Sequence, residues 1–132
     1  MNSPSGSRTV LVVDDSELAC EAAKHTLEGA GLSVLTLNSP FGFIKVIREH
    51  RPAVILIDVG LGILNGAKLV QLGRKNADPH CVILLFSSRD AKLLEEDVAS
   101  SGADGYITKK TTGQVFIDAV KKRLEGARGR RA

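Results

Sequence analysis

Short runs of apolar residues alternate along the chain with segments in which apolar residues recur every three or four positions. The runs predict buried β-strands, and the segments with helical spacing predict amphipathic helices. The predicted strands are 9–13, 32–37, 54–57, 81–86 and 106–108, and the predicted helices are 16–30, 41–50, 64–76, 90–101 and 112–125. Each strand leads through a short connection into a helix. The pattern therefore favours an α/β fold, a single three-layer sandwich with a five-stranded parallel sheet between five helices.

The third predicted strand ends abruptly at a carboxylate, Asp58. In an open parallel α/β sheet, ligands bind at the carboxyl ends of the strands, so an acid in this place is a candidate functional group. The alternative is an Asp that caps the next helix. That alternative is weaker because the helical pattern resumes only near Leu64, several residues too late for a cap.

Polar residues also follow three other predicted strands: Asp14 and Asp15 after the first, Ser87 after the fourth and Lys109 after the fifth. Three carboxylates at one sheet edge repel each other unless they share a cation. Because the candidate ligands are oxygens, Mg²⁺ fits this site better than Zn²⁺. A hydroxyl and an ammonium group beside the site are what a transferring phosphoryl group requires. Asp58 would then be the nucleophile that forms an acyl phosphate.

Two motifs in this set are specific enough to indicate a family. Val-Val-Asp-Asp-Ser at 12–16 and Gly-Ala-Asp-Gly-Tyr-Ile-Thr-Lys at 102–109 resemble the motifs of a response regulator receiver domain of two-component signalling, similar to single-domain chemotaxis regulators. The resemblance extends from about Thr9 to Leu124. It implies a flavodoxin-like sheet with the strand order 2-1-3-4-5 that is known for such a chemotaxis regulator.

The resemblance also implies a phosphoacceptor site. Asp58 would accept a phosphoryl group from a histidine kinase or a phosphotransfer protein in a reaction that needs Mg²⁺ as cofactor. Asp15 would bind the ion directly, Asp14 largely through water, and Gly60 through its carbonyl oxygen. This implied chemistry makes the chain a signalling switch that catalyses only its own phosphorylation and dephosphorylation.

Further residues would respond to the phosphoryl group. By the same resemblance, Ser87 would hydrogen-bond the phosphoryl oxygens, Lys109 would pair with them, and Tyr106 would be an aromatic switch. Arg89, two residues beyond Ser87, could cover the group and modulate its hydrolysis. A downstream protein would bind the face formed by the fourth helix, the fifth strand and the fifth helix.

The chain departs from the family pattern at two positions. Gly62 stands four residues after Asp58, where the family usually has proline, and glycine admits more backbone states. Lys110 follows Lys109, where the family usually has a proline whose peptide bond is often cis. A cis bond before a residue other than proline costs about 2.5 to 4 kcal/mol, so we predict a trans bond between Lys109 and Lys110.

Other functions remain open at this stage. One is an aspartyl-phosphate phosphatase, although that chemistry usually uses Asp-x-Asp and Gly60 stands where the second acid would be. Another is a flavin-binding electron carrier of the same topology, in which Asp14 and Asp15 would repel the flavin phosphate. A third is that this receiver is the N-terminal part of a longer regulator with an effector domain.

Charge and composition change this interpretation little. The formal net charge is +3, but residues 121–132 contain six Lys or Arg and one Glu, whereas the first 120 residues contain 12 basic and 14 acidic residues. We therefore expect a flexible tail over 1–8, a receiver domain over 9–125 and a basic C-terminal tail over 126–132, with nucleic acid an unlikely partner. No apolar stretch is long enough for a membrane span or a secretion signal, which predicts a cytoplasmic protein without a membrane partner.

Overall fold

A computed structural model describes residues 8–59 and 66–129, with side chains as far as residue 125. It confirms the α/β sandwich predicted from the sequence. The strands are β1 (Thr9–Val13), β2 (Ser33–Leu37), β3 (Val54–Ile57), β4 (Val82–Ser87) and β5 (Gly105–Thr108). The helices are α1 (Glu17–Gly29), α2 (Phe43–His50), α3 (Gly66–Asn76), α4 (Ala91–Ser101) and α5 (Gly113–Gly129).

The strands form one parallel sheet in the order β2-β1-β3-β4-β5, which confirms the order implied by the resemblance. The register brings the strand ends to one level. Val13 pairs with Leu37 on one side and with Ile57 on the other, and Ile57 pairs with Leu85. Residues that directly follow these strands therefore lie together along one edge of the sheet.

Both faces of the sheet are buried. In β3, Val54 and Leu56 pack in the core beneath α1 and α5, whereas Ile55 and Ile57 pack in the core beneath α2, α3 and α4. All four side chains are completely buried, as expected for a continuous apolar run in a parallel sheet. The sheet is therefore a rigid base for the residues at its edge.

Helix α1 begins directly after the acidic pair at the end of β1. The Ser16 hydroxyl caps it by accepting the backbone N–H of Ala19 at 3.1 Å. Cys20, Ala23 and Leu27 then form its buried stripe, at the three- and four-residue spacing of a helix face. The cap and the stripe together fix the direction in which the chain leaves the acidic pair.

Helix α5 differs from its prediction in two respects. The sequence pattern predicts that Val115 faces the core, but 67% of this residue is exposed. The buried stripe consists of Phe116, Val120 and Leu124, and a residue one position before Phe116 is rotated about 100° away from it. The helix also continues to Gly129, so the predicted tail over 126–132 is helical in its first four residues. Ala and Arg at 127 and 128 favour a helix, which outweighs the glycine at 126.

Other predictions concern single bonds and the chain ends. The peptide bond between Lys109 and Lys110 is trans, as predicted. The segment 60–65, which includes Gly60 and Gly62, lies outside the described residues, as do 1–7 and 130–132. Across 8–59 and 66–129, no helix has both the length and the apolar character needed to cross a membrane.

Helix α3 begins in close contact with the backbone that follows β3. A Cβ atom added to Gly66 would lie 2.7 Å from Cα of Val59 and 3.2 Å from the carbonyl oxygen of Asp58. Both neighbours are backbone atoms, so no rotamer change can relieve the contact. Glycine at this position therefore lets α3 approach the backbone on either side of the Asp58–Val59 peptide bond.

We expect Gly66→Ala to lower the free energy of unfolding by about 1 to 3 kcal/mol, the usual cost of overpacking. Gly29→Ala is the matched control, because Gly29 is also helical but a Cβ there would meet nothing within 4 Å. The control should be neutral or stabilising, since alanine is the better helix former. Urea unfolding of both variants tests this, and equal stabilities would show that the close approach at Gly66 is not needed.

Candidate functional site

Three of the predicted site residues form an acidic cluster. Asp14 and Asp15 follow β1, Asp58 follows β3, and one carboxylate oxygen from each lies within 4.8 Å of the other two. The backbone N–H of Asp58 donates to the Val13 carbonyl at 3.0 Å, which extends the strand pairing into the site. Asp14 and Asp58 are buried, whereas Asp15 is exposed.

Lys109 supplies positive charge to this cluster. Its Nζ contacts Oδ2 of Asp14 and lies 3.7 Å from Oδ2 of Asp58. Its backbone N–H donates to the Ser87 carbonyl at 2.8 Å, just beyond the paired part of β4 and β5. Burying an ionised carboxylate is costly unless the charge is paired, so this lysine makes the two buried acids possible.

The turn after Lys109 is closed by Thr108. The Thr108 hydroxyl accepts the N–H of Lys110 at 3.1 Å, and its carbonyl accepts the N–H of Thr111 at 3.0 Å. A proline at 110 would have no N–H to donate. The sequence reasoning missed this role of Thr108, although a threonine hydroxyl that bonds the backbone N–H two residues later is a known turn feature.

Asp14 is held in one orientation. Its Oδ1 accepts the N–H of Ser16 at 2.9 Å, while its Oδ2 contacts Lys109. Its carbonyl oxygen lies 3.3 Å from the Cys20 thiol, which donates to it. Burial, followed by the negative charge of Asp14, raises the pKa of Cys20, so the thiol stays protonated as this bond requires.

The cluster has the donor set that Mg²⁺ prefers. This ion binds one or two carboxylates at about 2.0 to 2.1 Å and keeps several waters. Asp15 and Asp58 offer such carboxylates, whereas both oxygens of Asp14 already have partners. The residues present therefore fit a magnesium ion that is held directly by two acids and supported by the third. The predicted carbonyl ligand, Gly60, lies outside the described residues.

Ser87 and Tyr106 lie on the neighbouring strands β4 and β5. Ser87 is the last residue of β4 and is buried, and its Oγ accepts the N–H of Arg89 at 3.2 Å. Tyr106 in β5 is half-buried, and its hydroxyl donates to Oε2 of Glu95 in α4 at 3.4 Å. The predicted switch residue is therefore in contact with the helix that it would influence.

The Arg89 side chain contacts α4. Its Nε lies 3.3 Å from Oδ2 of Asp97, and both side chains are partly exposed. The sequence-based expectation places the guanidinium over the phosphoryl site, and Asp97 had no predicted role. The signal that could have found this acid is its position in the second turn of α4, eight residues beyond Arg89, where the helix returns toward the loop.

One further residue at the site was not predicted. The ring of Phe86, directly before Ser87, lies beneath the ammonium group of Lys109, with 5.6 Å between Nζ and the ring centroid. An aromatic residue next to a functional strand end is a weak signal, because aromatic side chains in strands usually serve the core.

Known proteins resemble this chain over nearly its whole length. Residues 10–121 match the family described as the response regulator receiver domain. The polar-differentiation response regulator DivK of Brucella ovis is 25% identical over 122 residues, which are 92% of this chain and 99% of DivK.

Solved structures show the same fold. A CheY-like response regulator receiver domain protein from Methanospirillum hungatei has a TM-score of 0.82 at 20% identity, covering 94% of this chain and 98% of that one. The chemotaxis response regulator CheY4 of Vibrio cholerae has a TM-score of 0.78 at 23% identity, covering 89% and 98%. At these identities the likeness concerns the fold alone, but the family match covers most of the chain. The chain therefore belongs to the response regulator receiver domain family of two-component signalling.

Proposed function

We propose that this chain is a phosphoacceptor switch in which Asp58 takes a phosphoryl group from a histidine kinase or a phosphotransfer protein. The observation that supports this proposal is the convergence of three carboxylates within 4.8 Å, with a lysine ammonium beside two of them. Such a site combines a nucleophile with groups that neutralise a phosphoryl group in transfer.

The transfer is a displacement at phosphorus. A carboxylate oxygen of Asp58 forms the new O–P bond, the P–N bond of the donor phosphohistidine breaks, and the imidazole leaves with the bonding electrons and takes up a proton. Lys109 pairs with the phosphoryl oxygens, and Ser87 donates its hydroxyl hydrogen to them. Bound Mg²⁺ supplies charge neutralisation between the acids and the phosphoryl group. Asp15 and Asp58 would hold the ion and Asp14 would support it through water, with the carbonyl of Gly60 as the further ligand that the family resemblance implies.

The output follows from the contacts of the site with α4. A phosphoryl group on Asp58 adds negative charge and acceptor oxygens, which draw Ser87 and its loop toward Asp58. Tyr106 then leaves Glu95 and turns into the space behind that loop. A downstream protein binds the changed face of α4, β5 and α5.

The other functional classes have less support. A phosphatase of the aspartyl-phosphate type would need a general acid where Gly60 stands in the sequence. A flavin carrier would place its phosphate near Asp14 and Asp15, where the charge is negative. Turnover of small phosphate esters would favour the phosphatase, and a yellow preparation would favour the carrier. The proposed location is the cytoplasm, where two-component kinases phosphorylate their receivers, whether this receiver acts alone or as part of a longer regulator.

We expect Asp15→Asn to abolish Mg²⁺-dependent labelling by acetyl phosphate, because it removes a direct ligand. The fold should be intact or slightly stabilised, since one of three repelling carboxylates is gone. The matched control is Asp118→Asn, which changes an exposed acid in α5 whose side chain accepts a hydrogen bond from Gln114. Intact-mass spectrometry of the labelled proteins gives the measurement. Labelling of the Asp15 variant at the wild-type level would contradict the metal assignment.

The lifetime of the phosphoryl group should depend on the partner of Arg89. A guanidinium released from Asp97 can pair with phosphoryl oxygens and cover them from attacking water. Arg89→Ala should therefore speed dephosphorylation, and Asp97→Asn should slow it because the arginine is freed. Both side chains are partly exposed, so a change of about two- to fivefold in each direction is expected. Decay of radiolabelled protein provides the rates, and rates that change in the same direction would argue against competition for Arg89.

Ser87→Ala should separate phosphorylation from output. The variant keeps Asp58, the metal ligands and Lys109, so it should still accept phosphate. It lacks the hydroxyl that draws the β4–α4 loop inward, so α4 should respond poorly. The measurement is the amide NMR shift of residues 91–101 on addition of beryllofluoride, a phosphoryl mimic. Shifts in α4 as large as those of the wild type would assign the coupling to another group.

A further inference from the structure

The carboxylates that pair with Lys109 do not by themselves fix the direction of its side chain. A lysine side chain is a flexible four-carbon stem with a compact charge, so it can reach nearby carboxylates from several directions. In this chain, the residue after Lys109 is a lysine and the bond between them is trans. The Thr108 hydrogen bonds fix the backbone of the turn, but they do not direct the side chain.

The Phe86 ring lies where it can direct this side chain. Its centroid is 5.6 Å from Nζ of Lys109, inside the roughly 6 Å range of a cation–π contact. The ring is almost completely buried and stacks on Phe116, with centroids 5.4 Å apart and planes 13° from parallel. One face of this buried ring is turned toward the ammonium group.

The strand pairing explains why Phe86 and Lys109 meet. Phe86 pairs with Ile107 across β4 and β5, and Lys109 lies two residues beyond Ile107 on the same side of the chain. Because side chains alternate between the two faces of the sheet along β4, neighbouring residues of this strand have different roles. Phe86 faces α1 and α5 beneath the lysine, while the next residue, Ser87, is at the phosphoryl edge.

We infer that Phe86 is a positioning residue for phosphoryl transfer, which holds the Lys109 ammonium over its ring and toward Asp14 and Asp58. The inference deepens the proposed function and rests on it. The attraction is between the positive charge and the negative face of the ring, and it acts without using a hydrogen-bond donor of the ammonium group. All three donors therefore stay available to the carboxylates and to the phosphoryl oxygens.

The test compares two removals of a ring from the same stack. Phe86→Leu removes the ring beneath Lys109, whereas Phe116→Leu removes an equally buried ring and keeps an apolar side chain against Phe86. Both should lose similar stability in urea unfolding, because both make the same change in the same core. Only Phe86→Leu should slow Mg²⁺-dependent labelling by acetyl phosphate, by about three- to tenfold. The Phe116 variant should stay within about twofold of the wild type.

A conservative variant should restore the rate. Phe86→Tyr keeps the ring, and the ring borders a cavity of about 190 Å³ that Thr111 and Thr112 also line. Labelling of this variant at nearly the wild-type rate is expected. A Tyr variant as slow as the Leu variant, or two Leu variants slowed equally, would overturn the inference in favour of general loss of packing.

A spectroscopic measurement makes this test independent of phosphorylation. Protons above an aromatic face are shifted upfield, so the Hε resonances of Lys109 should lie upfield of those of the exposed Lys110 in protein without phosphate. The shift should persist in Phe116→Leu and disappear in Phe86→Leu. If the wild type is not labelled at all but the shift is present, the proposed function fails and the lysine–ring contact stands. Unshifted Lys109 resonances in the wild type would refute the contact itself.

Discussion

Two carboxylates buried at one sheet edge are the constraint on which the rest of the structure depends. Asp14 and Asp58 are withdrawn from water, and the Lys109 ammonium is the cation beside both. Removing one partner of a buried ion pair typically costs about 3 to 5 kcal/mol, a large share of the stability of a small domain. The two carboxylates and the lysine therefore have to be positioned accurately, and backbone hydrogen bonds of the surrounding elements position them.

The parallel sheet positions the site residues accurately because its register is set by apolar side chains that lie away from the charged groups. The apolar runs of β1, β3 and β4 are buried on both faces, and a slip of one residue would exchange the two faces of a strand. The same register fixes the levels of Asp58 and Lys109 through single hydrogen bonds that extend the ladder. The free energy of hydrophobic packing thus offsets the repulsion between the carboxylates, which would otherwise drive these residues apart.

The sequence was sufficient for those features that repeat along the chain. Strand runs, helix stripes and the acids at strand ends follow local rules, so the fold and the cluster of Asp14, Asp15 and Asp58 were predictable. The partners that long, flexible side chains bind could not be predicted in this way. The Arg89 side chain has several flexible torsions, and its pairing with Asp97 depends on the direction in which α4 leaves the loop. The exposure of Val115 likewise depends on the exact rotation of α5, which a pattern fixes only to within about one residue.

The contacts of α4 with Tyr106 and Arg89 are the ones that the proposed switch would have to change. Two acids of α4 have partners outside the helix. Glu95 accepts a hydrogen bond from the Tyr106 hydroxyl, Asp97 pairs with Arg89, and both contacts are at least partly exposed. An exposed ion pair such as that of Arg89 with Asp97 contributes only about 0.2 to 1 kcal/mol. The 3.4 Å bond from Tyr106 to Glu95 is longer than a usual O–H···O hydrogen bond and is weak for that reason. A charge-assisted bond from a serine or an arginine to a phosphoryl oxygen is stronger, at about 1.5 to 3 kcal/mol. In the proposed switch, a phosphoryl group would therefore compete with these two contacts of α4, neither of which involves the buried pairing of β3 with β4.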